Sequence, residues 1–339
     1  MFMQKLLFIT TGGTIACAPT DKGLSPSMSG MELLRHLPEL ENMCEAHTLP
    51  LFSIDSTDMT PRHWLAIAAA IEKYYDDYDG FIVCHGTDTM SYTAAALSYL
   101  IQNSAKPIVL TGAQKPISFE ITDAKRNLRD SVICATDASS HDVMLVFDGR
   151  IIAGTRAKKE KTYSFDAFVS VNYPALGNVT DDGIMWFIRP PEPCGEPIFY
   201  DELSTSVFWL KLTPGIEPDI LPLIFDKYDC IAVESFGVGG VPQSIADKLE
   251  ALFASYKKGE KLLVMATQVP YEGSNMAVYE VGRRFKDKLC FLEAHDMTPE
   301  AVYTKLMWTL AQTALTFEQK RDLFYAPVNF DTLKRGKSK

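Results

Sequence analysis

Apolar residues along the chain fall into two alternating patterns. Short, nearly unbroken runs occupy Lys5–Thr10, Gly80–Cys84, Lys106–Thr111 and Val143–Phe147, with a weaker one at His47–Phe52. Such runs predict strands covered on both faces. Between them, apolar residues recur at helical spacing. Trp64, Ile67, Ile71 and Tyr74 follow Thr60-Pro61, an N-cap with proline at the first helical position. Met90–Ile101 and Asp123–Ala135 predict two more helices. Strand–helix alternation predicts an α/β fold with a larger N-terminal domain, its mostly parallel sheet flanked by helices. Pro190, Pro191, Pro193 and Pro197 then break the pattern, because proline continues neither a helix nor an inner strand. Beyond them the alternation resumes, with strands predicted at Cys230–Val233 and Lys261–Ala266 and helices at Val241–Tyr256 and Thr298–Ala314. The predicted organisation is an N-terminal domain over 1–189, a linker over 190–210 and a smaller C-terminal α/β domain over 211–339.

Composition narrows the class. At 339 residues, with 47% apolar and 22% charged residues, the chain has globular usage and length for about two domains. The net charge of −10 argues against nucleic acid as a partner, since such binders carry basic patches. Here basic residues cluster only near Lys158 and in the Lys334–Lys339 tail. No apolar run reaches membrane-spanning length, so no membrane partner is expected. The opening Met1–Ile9 lacks signal-peptide character and reads as a buried first strand. Seven cysteines without C-x-x-C spacing predict reduced thiols and a cytoplasmic location.

The ends of three predicted strands carry small, hydroxyl-rich turns. Thr10-Thr11-Gly12-Gly13-Thr14 follows the first, His85-Gly86-Thr87-Asp88-Thr89 the second, and Thr111-Gly112-Ala113-Gln114 the third. Ligands of parallel α/β sheets bind outside the carboxyl ends of strands. Glycines there admit close backbone approach, and hydroxyls serve as nucleophiles or hydrogen-bond partners. Each turn alone is also an ordinary strand-to-helix cap; three together favour a site. Dinucleotide and phosphate-loop glycine patterns, H-E-x-x-H, paired cysteines and G-x-S-x-G are all absent from the sequence. No metal site is therefore expected. His85 reads as a packed, hydrogen-bonded residue.

Thr11-Gly12-Gly13-Thr14-Ile15-Ala16 and His85-Gly86-Thr87-Asp88-Thr89-Met90 together resemble the two signatures of bacterial-type L-asparaginases. Asp55–Pro61, Tyr75–Phe81, Phe165–Phe168 and Ser235–Gly239 extend the resemblance, which is to the cytoplasmic type I branch. It implies hydrolysis of L-asparagine to L-aspartate and ammonia without a cofactor, with some glutaminase activity. It implies Thr14 as the nucleophile that forms an acyl-enzyme, with Thr87, Asp88 and Lys159 as its catalytic partners and Lys158 as the neighbouring alternative to Lys159. Ser56 and Thr57 match positions at the substrate α-carboxylate. Asp88 is expected at the α-amino group, and the Ala113 backbone at the amide. The partner is a small amino acid, and the assembly a homotetramer built as a dimer of dimers. An amidotransferase component is a related reading, but the first signature lies within about ten residues of the start. A catalytically weak amino-acid-binding or regulatory homologue is the alternative. Two positions depart from the pattern. Gly23-Leu24 replaces a Gly-Tyr pair, so the activating hydroxyl is expected elsewhere, with Tyr279 of a neighbouring subunit as candidate. In the C-terminal domain, Thr267-Gln268 fits an allosteric asparagine site, but Glu234 and Gly240 stand where basic and amide residues are usual. An acidic Glu234 would repel an α-carboxylate, so allosteric activation is not expected.

Overall fold

The computed structural model describes residues 3–20, 23–26, 28–257, 259–278, 282–285 and 291–333. It divides into two compact units, Met1–Asp201 and Glu202–Lys339.

The first unit is built on one sheet. Its strands are β1 (Lys5–Gly12), β4 (Glu45–Ile54), β5 (Gly80–Cys84), β7 (Ile108–Thr111), β8 (Val143–Phe147), β9 (Arg150–Ala153), β12 (Gly177–Thr180) and β13 (Gly183–Trp186), in the order β13-β12-β9-β8-β7-β5-β1-β4. Smaller pairs are β2 (Cys17–Thr20) with β3 (Gly23–Pro26), β10 (Ala157–Lys159) with β11 (Phe168–Ser170), and β6 (Ile101–Gln102) with β14 (Ile198–Phe199). From β8 to β4 every pairing is parallel; from β8 outward through β9 to β13 it is antiparallel. The five predicted strands are the five parallel ones. β5, β7 and β8 are buried at every residue, which is why their sequences are unbroken apolar runs. β4 is an edge strand with no fully buried residue, and its pattern is correspondingly weak. The turn from β8 into β9 is Asp148-Gly149, both at positive φ (50° and 76°), the conformation of a tight hairpin.

A short helix, α1 (Gly30–Arg35), opens with a Ser29 cap that accepts from the Glu32 amide. The longer helices between the strands differ in how much they bury. In α2 (Pro61–Lys73) the stripe is Trp64, Ile67, Ala68 and Ile71, and the Thr60 amide donates to His63 Nδ1 at 3.0 Å across the first turn. α3 (Met90–Leu100) is buried on nearly all sides, and α4 (Ala124–Thr136) buries Asn127, Leu128, Ser131 and Val132. The proline-rich stretch has neither helix nor strand. Asn103 Nδ2 holds it, donating to Cys194 O at 2.8 Å and Glu196 O at 3.0 Å.

The second unit carries four parallel strands in sequence order, β15 (Val207–Lys211), β16 (Cys230–Ser235), β17 (Leu262–Thr267) and β18 (Phe291–Glu293). α5 (Ile220–Lys227) and α6 (Gln243–Ser255) contribute Leu221, Phe225, Ile245 and Leu249 to its core, against Ile231, Val233 and Leu263. No helix of the described residues is long and apolar enough to cross a membrane.

This unit also buries an ion pair. Lys305, in the helix Pro299–Ala311, places Nζ 2.6 Å from Asp331 Oδ2, with both side chains fully buried. The ammonium also donates to Ala326 O at 2.7 Å, and Asp331 Oδ1 accepts from the Val328 amide at 3.0 Å. Removing one partner of such a pair leaves an uncompensated charge in a dry interior. Asp331→Ala is expected to destabilise this unit by about 3–5 kcal/mol, read as a lower urea midpoint; an unchanged midpoint would contradict it.

Candidate active site

β1 and β5 run side by side with Thr10 opposite Cys84, so the turns that follow them emerge level. Gly13 and Gly86 meet there backbone to backbone: a Cβ on Gly13 would collide with Gly86 Cα, and one on Gly86 would lie 2.7 Å from Ser56 Oγ. Only glycine permits this approach. The Gly13 amide donates to Ile54 O at 3.1 Å, tying the first turn to the end of β4.

This contact places Thr14, at the start of a short 3-10 turn, beside Ser56, Thr87 and Asp88. They line a cavity of about 100 Å³ together with Gly13, Cys17, Asp55 and Gly86. Thr87 is buried and Asp88 is exposed. Lys159 reaches them from the end of β10. Its Nζ lies 2.7 Å from Thr87 Oγ1 and 2.7 Å from Asp88 Oδ1. Successive strand residues point to opposite faces, and of Lys158 and Lys159 it is Lys159 that makes these contacts. Thr87 Oγ1 donates in turn to Gln114 Oε1 at 3.2 Å.

Two expected substrate-binding residues stand differently. Thr57 is exposed, and its amide and hydroxyl both donate to Asp55 Oδ1 at 2.8 Å; Asp55, not Thr57, lines the cavity. Ala113 is fully buried and is not among the lining residues. Asp55 and Gln114 were present in the motifs read from the sequence, but their contacts depend on turns from other strands. Leu24 lies in β3, paired with Pro19 of β2. Tyr279 lies outside the described residues, as does the Lys334–Lys339 tail.

Cys17 Sγ donates to Gly13 O at 3.3 Å. Burial first, then the charge of Asp55, pushes its thiol above the ordinary range, so it remains a thiol. The described cysteines are all free. Among the described residues no cluster of His, Cys, Asp or Glu is placed to hold a metal ion. In the second unit the Glu234 carboxylate is already engaged, 3.3 Å from Lys211 Nζ and accepting from Trp209 Nε1 at 3.3 Å. Gln268 Nε2 donates to Leu212 O at 2.6 Å and to Glu234 O at 3.0 Å, and Thr267 Oγ1 to Gly237 O.

Residues 5–192 match the family model "Asparaginase, N-terminal", and residues 206–324 match "Glutaminase/Asparaginase C-terminal domain". The chain belongs to the asparaginase family. An L-asparaginase of Thermococcus kodakarensis is 38% identical over 311 residues, covering 91% of this chain and 94% of the relative. A solved structure of the thermostable L-asparaginase from that organism superposes with a TM-score of 0.90 at 35% identity, covering 98% of this chain and 100% of the other. L-asparaginase 1 of Escherichia coli K12 is 34% identical, covering 91% of this chain and 93% of the relative. A Glutamyl-tRNA(Gln) amidotransferase component of Pyrococcus abyssi is also 34% identical, over 92% of this chain but 73% of its own length.

His85 supports this asparaginase-family site from beneath. It is fully buried, with Nδ1 2.6 Å from Gly86 O and Nε2 2.9 Å from Thr93 Oγ1, which also accepts from Trp64 Nε1 at 3.0 Å. A neutral ring with its proton on Nδ1 satisfies both partners. Burial pulls the imidazole down to about 4, outweighing the Gly86 hydrogen bond that raises it. The unfolded chain protonates this side chain near pH ~6.5. The folded-state value is depressed, so the stabilisation is fully present above that pH and is lost as pH falls toward 4. Between pH 7 and 4.5, His85→Gln is expected to lose about 2–3 kcal/mol less stability than the parent. Denaturant unfolding at the two pH values checks this, and equal losses would contradict it.

Proposed function

We propose that this chain is a cytoplasmic L-asparaginase acting through a threonine nucleophile and an acyl-enzyme. The observation that carries the reading is the Lys159 ammonium bridging Thr87 and Asp88, two residues that line the same cavity as Thr14. Thr14 Oγ1 attacks the carbon of the side-chain amide, the C–N bond breaks, and the nitrogen takes a proton and leaves as ammonia. Water then cleaves the Thr14 ester, releasing aspartate and returning a proton to Thr14 Oγ1. A hydroxyl needs a base for both steps. Thr87 and neutral Lys159 relay those protons. Asp88 serves the substrate α-ammonium and orients Lys159. Ser56 serves the α-carboxylate end. Backbone amides near Thr14 serve the developing oxyanion.

Glutamine is one methylene longer, a difference worth only about 1–3 kcal/mol in a pocket, so secondary glutaminase activity belongs to the proposal. The similarity to an amidotransferase component does not favour that reading over a free amidohydrolase, since 91% of this chain aligns with 94% and 93% of the two L-asparaginases, against 73% of the amidotransferase component. An ammonia-release assay with L-asparagine, L-glutamine and their D-forms is expected to give fastest turnover with L-asparagine. Thr14→Ala and Thr87→Val are each expected to lower that turnover by at least about 10³-fold while leaving the unfolding midpoint within the parent's range. Absence of ammonia from the parent would favour the amino-acid-binding alternative, and near-normal activity of Thr87→Val would remove Thr87 from the chemistry. The resemblance further supports a homotetramer as a dimer of dimers. Light scattering is expected to return about four times the 37.8 kDa chain mass; a monomer mass would refute it.

A further inference from the structure

Beyond the residues given roles above, one polar side chain contacts the catalytic threonine. Thr87 Oγ1 has one hydrogen and two lone pairs. Lys159 Nζ, a donor, occupies one lone pair at 2.7 Å. The hydrogen is directed at Gln114 Oε1 at 3.2 Å. The Gln114 amide cannot turn over. Its Nε2 faces two carbonyls, Ser164 O at 3.2 Å and Lys161 O at 3.4 Å, and carbonyls only accept. A flipped amide would set oxygen against oxygen at both and lose both bonds.

The backbone beneath Gln114 is held as firmly. Its amide donates to Asp123 Oδ2 at 2.9 Å, and the Lys115 amide donates to Asp123 Oδ1 at 3.1 Å. Asn127 Nδ2 bonds both Asp123 Oδ2 at 3.2 Å and Gly112 O at 2.9 Å. Asp123 and Asn127 are buried, so the turn after β7 is set by α4 and does not depend on solvent. Lys161 and Ser164 lie in the loop between β10 and β11, the hairpin whose first strand ends in Lys159. Gln114 therefore contacts one member of the proposed proton relay, Thr87, by its oxygen, and by its nitrogen the loop of the hairpin that carries the other.

We propose that Gln114 is a positioning residue for Thr87. In the resting site its oxygen accepts the hydroxyl hydrogen and so fixes the position of Thr87 Oγ1, and its nitrogen pins the loop of the Lys159 hairpin. The remaining lone pair of Thr87 is left for the proton that the nucleophile gives up, and the hydroxyl hydrogen turns from Gln114 to Lys159 as that proton arrives, so that Thr87 gains one proton and passes on one. This orientation is set before substrate arrives, which is where pre-organisation lowers a barrier. The role rests on the reading that Thr87 takes part in the chemistry.

A double-mutant cycle on the full-length protein tests it, with ammonia release from L-asparagine as the readout. Gln114→Leu is expected to lower kcat by about 10–100-fold, less than removal of a proton-transferring group itself, with KM within about threefold of the parent. In a Thr87→Val background, where no hydroxyl remains to orient, the same change is expected to cost less than about threefold. A merely structural role would cost the same in both backgrounds, and that result would overturn the proposal. So would a kcat within twofold of the parent, or a loss confined to KM. If Gln114→Leu does not fold, Gln114→Met, unbranched and of similar length, is carried through the same cycle with the same expected outcomes. Near-normal activity of Thr87→Val alone would instead refute the underlying role of Thr87, so the two failures are distinct.

Discussion

Gly13 and Gly86 touch where two parallel strands end, and the site is arranged around that contact. β1 and β5 are neighbours in register, so the residues following each glycine leave the sheet side by side. Those residues are Thr14 and Thr87. Any side chain at either glycine would hold the turns apart or drive one of them into Ser56. The hydroxyls that share a cavity do so because two positions lack side chains. The buried His85, capped on Gly86 and backed by Thr93 and Trp64, keeps the second turn from relaxing away.

On this frame the charges are arranged locally. The chain carries a net charge of −10, yet the site holds one bridging cation between a hydroxyl and a carboxylate. The Lys159 side chain is 16% exposed and that of Asp88 is 58% exposed, so the pair sits at the boundary between protein and solvent. An exposed pair of this kind contributes little to stability. The buried Lys305–Asp331 pair is the opposite case: sealed from solvent, it is fixed as structure.

The sequence made the central strands legible because burial on both faces leaves one solution, a continuous apolar run. It made α2 legible through its apolar stripe, and α3 and α4 as helix-length segments between the strands. The strands β9 to β13 were not foreseen. They are three or four residues each and partly exposed, too short for periodicity to speak. The Asp148-Gly149 pair at the first of their turns was the available signal. Thr14, Ser56, Thr87 and Asp88 could be named from glycine-hydroxyl turns and from family resemblance, and they do share a cavity. The engagement of Thr57 with Asp55 is local but depends on a side-chain rotamer, which a motif does not encode. The pairing of Gln114 with Lys161 and Ser164 spans 47 and 50 residues, so no local pattern could announce it.

The central pairing also fixes when the molecule becomes competent. Thr10 and Cys84 are far apart along the chain, and their parallel alignment encloses β4 and α2. A long loop must close before any contact between the two turns repays its entropy. No fragment short of that closure can present Thr14 and Thr87 to one molecule. Turnover during refolding therefore requires the middle of the sheet to have formed.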